Sequence, residues 1–116
     1  MRAGPLITAG ATLAALALSS AAWAQGKSDA DAATLTLGKQ LFITGATPAC
    51  AICHTLKDAG TEGAVGPVLD ELRPSADQVE RAVRDGLGIM PAFKASLSEA
   101  EIKALGAYVS RAASKP

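Results

Sequence analysis

The chain has 116 residues, enough for one domain, with 49% apolar residues and 11 basic against 11 acidic side chains, so its formal charge is zero. That balance fits a globular protein and excludes a disordered polyelectrolyte. There is no basic run and no interleaving of aromatic with basic residues, so nucleic acid is not an expected partner.

In chain order, Met1-Arg2 is a short positive start, Leu6 to Leu18 is an apolar run of about 13 residues, and Ala22-Trp23-Ala24 has the form of a cleavage signal. A secretory signal peptide is therefore expected over residues 1–24, leaving a mature chain of about 92 residues from Gln25. The apolar run falls short of the roughly 20 residues of a membrane span, so no stable membrane insertion is expected after cleavage. No cysteine stands at the cleavage site, which disfavours a lipoprotein. Residues 25–33 lack apolar periodicity and read as a flexible lead-in, with the folded domain over 34–116. The mature aromatic residues are only Phe42, Phe93 and Tyr108. A small domain so poor in large side chains needs another apolar body or staple to fill its core.

Leu35, Leu37, Leu41 and Phe42 give a helical pattern that ends near Gly45. Gly38 within it costs about 1 kcal/mol relative to Ala, so another element is expected to approach closely there. Cys50-Ala51-Ile52-Cys53-His54 follows, the spacing of a covalent attachment site for a c-type haem. Each of the two thiols must reach one vinyl group of a single porphyrin, and the adjacent His54 is turned toward the iron as one axial ligand. A redox disulfide would expect a strand–helix–strand context that is missing here. A zinc site would need about four protein ligands, and the chain has no other Cys or His.

Thr55 to Val65 reads as a polar loop, and Gly66-Pro67 as a turn. Ser75 and Gln78 form a capping box opening a helix, with Val79 and Val83 on one face, Glu80 and Arg84 on a solvated face, and Gly86 as the stop. Gly86 to Phe93 contains two glycines and a proline and reads as a tight irregular loop around Met90, the only Met left in the mature chain. Ser98 and Glu101 make a second capping box, preceded by Leu97 as a hydrophobic staple to Ile102. Ile102, Leu105, Gly106, Tyr108 and Val109 form the apolar stripe of the last helix.

Cys50-Ala51-Ile52-Cys53-His54, Gly66-Pro67-Val68-Leu69 and Gly88-Ile89-Met90-Pro91, in that order, resemble the small class I c-type cytochromes over roughly residues 34–110. The resemblance implies an all-α fold, with three main helices and loops around one haem c bound through Cys50 and Cys53. It implies Met90 as sixth ligand, the Pro67 carbonyl as acceptor for the other nitrogen of His54, and Leu69 on the haem face. It also implies that Gly38 and Phe42 of the first helix meet Tyr108 of the last. Ile52, Leu69 and Ile89 are expected to exclude water. Electrons are expected to pass at a mostly uncharged rim of Ala49, Ala51, Gly88, Ala92 and Phe93, with Lys57 and Lys94 as the nearby cations.

With both axial positions filled, substrate has no place on the iron, so the expected function is outer-sphere transfer of single electrons between redox proteins in the bacterial periplasm. The arrangement is similar to small periplasmic cytochromes that take electrons from molybdenum sulfite dehydrogenases, with a terminal oxidase or another cytochrome as acceptor. Two alternatives stand beside it: a tightly bound haem subunit of a dehydrogenase complex, and a haem enzyme or gas sensor with a labile sixth ligand. The lack of a distal His weighs against the second.

Overall fold

The computed structural model describes residues 1–5, 10 and 31–116. The signal peptide expected over 1–24 and the lead-in expected over 25–33 fall largely outside them. Residues 31–33, placed in the lead-in by their lack of apolar periodicity, already belong to the first helix. Helix α1 occupies 31–40 and runs on into a π-helical turn, Leu41–Gly45, closed by the Ala46 N–H on the Leu41 carbonyl at 3.0 Å. There follow α2 (Cys50–Cys53), β1 (His54–Leu56), β2 (Thr61–Ala64), α3 (Leu69–Leu72), α4 (Ala76–Asp85) and α5 (Glu99–Ala113). Three longer helices thus carry the fold, as expected.

The two capping boxes form as their spacing predicts. The Ser75 hydroxyl accepts from the Gln78 N–H while the Gln78 side chain accepts from the Ser75 N–H, and Ser98 and Glu101 do the same for α5. Leu97 and Ile102, the residues of the expected staple, are both buried in the core. The α1–α5 crossing depends on Gly38: a Cβ there would fall onto the Ala104 carbonyl oxygen and within 2.5 Å of the Tyr108 Cβ. One turn on, the Phe42 and Tyr108 rings meet edge to face, centroids 6.1 Å apart at 66°. The two helix backbones can therefore come close enough to bury both rings almost completely.

Glu80 and Arg84 do not form the solvated face expected of them. Arg84 crosses to α5 and donates twice to the Glu99 carboxylate, at 3.0 and 2.7 Å, while Glu80 lies 3.8 Å behind it. Gly106 makes room for that seam, since a Cβ there would meet the Glu80 Cγ at 2.8 Å. Helical spacing reveals an i,i+4 pair but not the helix that packs over it.

The polar loop expected over Thr55–Val65 is an antiparallel hairpin. β1 and β2 pair His54 with Ala64 and Leu56 with Thr61, with a bulge after His54. A 3-10 turn, Lys57–Ala59, and Gly60 at φ 66° connect them. Asp58 in that turn ties three elements together. Its carboxylate accepts from Lys115 Nζ and Tyr108 Oη, each at 2.9 Å, and from Lys39 Nζ at 3.3 Å. Lys39 also donates to the Asp58 carbonyl at 2.7 Å. The Lys115, Tyr108 and Lys39 donors hold the Asp58 carboxyl down at about 2. Burial, then the Asp58 carboxylate, pushes the Tyr108 hydroxyl well above its ordinary value.

Candidate functional site

Cys50 and Cys53 stand three apart on a single helical turn, so both side chains leave the same face of α2. The turn stops there because His54 takes extended backbone, φ −116° and ψ 137°. The Cys53 carbonyl, left without a helical partner, accepts from the N–H groups of Val65 and Gly66 at 3.1 and 2.8 Å. The returning strand is thereby drawn against the histidine. A Cβ on Gly66 would stand 2.5 Å from the His54 Cε1 and 2.9 Å from its Nδ1, so only glycine lets the ring lie flat against the chain at this point.

One residue further, the Pro67 carbonyl lies 2.9 Å from His54 Nδ1. A carbonyl can only accept, so the proton sits on Nδ1 and the lone pair on Nε2, the nitrogen left to bind a metal. The turn that carries Met90 is built as tightly. Leu87 and Met90 exchange N–H···O bonds at 3.1 and 3.0 Å around Gly88, whose φ is 58°. Gly86, at φ 76°, lies against the Met90 carbonyl, which a Cβ would approach to 2.8 Å.

All six residues singled out from the sequence line one cavity of about 730 Å³: Cys50, Cys53, His54, Pro67, Leu69 and Met90. Leu69 is buried, and Met90 and both cysteines are half-buried. Val65, Leu72, Leu87 and Ile89 line the same cavity while 57% to 85% exposed, more apolar surface than a domain leaves uncovered without reason. Burial pushes the Cys50 thiol up to about 11. That is the reverse of the lowered thiol on which redox Cys-x-x-Cys pairs depend, so the burial of Cys50 does not suit a disulfide exchanger. A large apolar plate with two carbon attachment points and one nitrogen-seeking metal fits the volume, the lining and the donor set together.

Some expectations about the rim change. Phe93 is an inner wall, 4% exposed, not an exchange surface. Its N–H reaches the Val83 carbonyl at 2.8 Å, which closes the Met90 loop back onto α4. Ile52 does not shield the cavity: it lies outside the lining and is 64% exposed. Lys94 is committed to Asp85 at 3.5 Å. The cation that does line the cavity is Arg81, with Gln78 one turn before it. The Val79–Val83 spacing does not point to either: Arg81 is two residues from each valine and so lies across the helix from that face, and Gln78 reads as a cap. Instead Gln78 stands one turn before Ala82 and Arg81 one turn before Asp85, both of which also line the cavity.

Helices closed on an apolar cavity, with Cys50, Cys53 and a tautomer-fixed His54 in its wall, define a c-type cytochrome of class I. Residues 33–109 match the family model described as "Cytochrome C oxidase, cbb3-type, subunit III", and the chain belongs to that family of cytochrome c domains. Among solved structures it is similar to the c-type cytochrome SorU from Sinorhizobium meliloti, at 49% identity and a TM-score of 0.68, over 71% of this chain and 93% of that one. No match was found among curated proteins. The protein thus carries one covalently bound haem c and works as a monohaem electron carrier.

Proposed function

We propose that Cys50 and Cys53 form the two thioethers, that His54 Nε2 and the Met90 thioether are the axial ligands, and that the protein is a periplasmic carrier rather than an enzyme. Haem supplies a one-electron couple when bound; the chain's residues set its surroundings. The observation that carries this reading is the bond from His54 Nδ1 to Pro67, because it presents Nε2 as a basic donor on the wall that also holds both thiols. Leu69 packs on the haem face and, with the apolar lining, keeps water from it. Met90 would supply the second protein ligand to the iron, so that partners would exchange electrons at the cavity's edge without entering it. A thioether ligand paired with an imidazole would hold the potential above that of a bis-histidine haem.

The donor in this reading is a molybdenum sulfite dehydrogenase, and the acceptor an oxidase or another cytochrome. The resemblance to small periplasmic cytochromes of that kind supports it, as does the similarity to SorU. Export of residues 25–116 behind the expected signal peptide places the carrier where haem c is attached. Among the described residues no helix is long and apolar enough to cross a membrane.

The test is the spectrum of the purified holoprotein, ferric and ferrous, with and without Met90→Ala. Sharp low-spin bands and a weak red sulfur-to-iron band, lost in the variant, are expected. A high-spin wild-type protein that binds carbon monoxide would refute Met90 and revive the sensor or enzyme reading. Prompt reduction by a purified sulfite dehydrogenase plus sulfite, and none without enzyme, tests the donor. The family description favours a second reading, a permanently bound haem subunit. Gel filtration of a periplasmic extract separates the two, since a free carrier elutes as a small species.

A further inference from the structure

The covalent anchor fixes one edge of the porphyrin and leaves the charged edge to be accounted for. The two vinyl carbons consumed as thioethers lie away from the two propionate arms on the macrocycle, so the wall that holds Cys50 and Cys53 cannot also hold the carboxylates. The cavity must supply cationic or hydrogen-bonding groups elsewhere, because two carboxylates against an apolar lining would go unpaired.

Among the described residues lining the cavity, Arg81 is the one with a cationic side chain. It makes no ion pair or hydrogen bond within the described chain. Three residues on, Arg84 is saturated by Glu99 at 2.7 Å and Glu80 at 3.8 Å. Gln78 stands one turn before Arg81, on the same side of α4. Its side-chain oxygen is held by the Ser75 N–H at 2.8 Å, which fixes the amide and leaves its NH₂ to donate. The other polar lining groups are unsuited. His54 Nδ1 is given to Pro67 at 2.9 Å, and Asp85 is itself an anion, 3.5 Å from Lys94.

We infer that Arg81, seconded by the Gln78 amide, is the binding site for the haem propionates, so that α4 clamps the carboxylate edge while α2 holds the thioether edge. The inference rests on the haem assignment above but not on Met90. A guanidinium presents paired N–H donors to a carboxylate and neutralises part of its charge. Placed beside the macrocycle, the same charge favours the ferrous over the ferric form.

The experiment uses the haem-loaded protein and three variants, Arg81→Gln, Arg81→Lys and Arg84→Gln, each confirmed to hold haem c by its pyridine spectrum. The readouts are the ferric-to-ferrous ratio at one fixed electrode potential and the carboxylate stretching bands of the redox-difference infrared spectrum. Arg81→Gln is expected to raise the ratio about fivefold or more through loss of one nearby positive charge, and to shift the propionate bands. Arg81→Lys should keep the ratio within about twofold yet shift the bands, since it retains the charge and loses the fork. Arg84→Gln, the same change of charge on the same helix but outside the cavity, should do neither. An Arg81→Gln protein with wild-type ratio and bands would overturn the inference, as would an equal response from Arg84→Gln. A wild-type chain without haem c would overturn the haem assignment along with it.

Discussion

Gly66→Ala probes the proposed axial histidine without touching it. The new methyl carbon would stand 2.5 Å from His54 Cε1, 2.9 Å from Nδ1 and 3.0 Å from Nε2. Ordinary carbon contacts begin near 3.5 Å, so either the ring or the strand must give way by about 1 Å. The bond from Nδ1 to the Pro67 carbonyl is 2.9 Å long, and a shift of that size takes it out of hydrogen-bonding range. Loss of such an orienting partner typically weakens a metal–imidazole bond about 10- to 100-fold. The less basic imidazole stabilises ferric iron less than ferrous iron. If a tenth of the upper figure is differential, the midpoint potential rises by about 60 mV. Spectroelectrochemistry on the purified holoprotein reads that shift, and a thermal melt of the same sample separates it from global loss of fold. A variant with the wild-type potential and unchanged low-spin bands would refute the claim that the Gly66–Pro67 turn controls His54.

Gly38→Ala should destabilise the domain by about 1–3 kcal/mol in denaturant titration, although alanine is the better helix former by about 1 kcal/mol, because the Cβ lands on the Ala104 carbonyl. Unchanged or higher stability would mean that the α1–α5 approach is looser than described. Gly86→Ala should abolish the red sulfur-to-iron band at neutral pH, since it adds both left-handed strain and a 2.8 Å contact with the Met90 carbonyl. Gly88→Ala, at φ 58° but facing open space, should keep the band and lose only about 1–2 kcal/mol of stability. Asp58 has its folded value held at about 2, below the ordinary carboxylate range, so the stability it contributes is full above about pH 4 and is lost as pH falls through about 2. With allowance for a partly exposed site, about 1–2 kcal/mol is at stake. Acid unfolding of wild type and Asp58→Asn should differ at pH 5 and converge near pH 2, and parallel curves would contradict the assignment.

What the sequence revealed and what it hid divide along the range of the interactions concerned. Cys50, Cys53 and His54 are adjacent in the chain, and the capping boxes at Ser75 and Ser98 close within three residues, so local spacing was enough to read them. The place of Met90 on the cavity wall and the bond from His54 to Pro67 were anticipated only through the resemblance, since a lone methionine or a Gly-Pro turn has no chemistry of its own in a sequence. The hairpin was missed because β1 and β2 have seven residues between them, with no alternating apolar pattern. Their pairing is set instead by the turn around Asp58 and by the Cys53 carbonyl. The Asp58 cluster draws on Lys39, Tyr108 and Lys115, which lie 19, 50 and 57 residues away, and no window along the chain contains them.

The same long-range contacts bear on how such a carrier works. An electron carrier needs its iron surroundings to change little between oxidation states, so the segments that carry the proposed ligands must be held by the fold, independently of the metal. His54 is held by Pro67 and pressed by Gly66, while its strand is hydrogen-bonded through Thr61 and Gly63. Met90 sits on a two-bond turn whose exit is fastened by the Phe93 N–H to Val83. Those two anchors converge on a shared frame, because Val83 lies on α4, α4 packs along α5, and α5 is tied through Tyr108 to the Asp58 turn that follows His54. Loosening either end of that chain of contacts should therefore be felt at the haem first as slower electron exchange, before the domain unfolds. Asp58→Asn, remote from the cavity lining, would show it as a lower self-exchange rate at neutral pH with the potential barely moved.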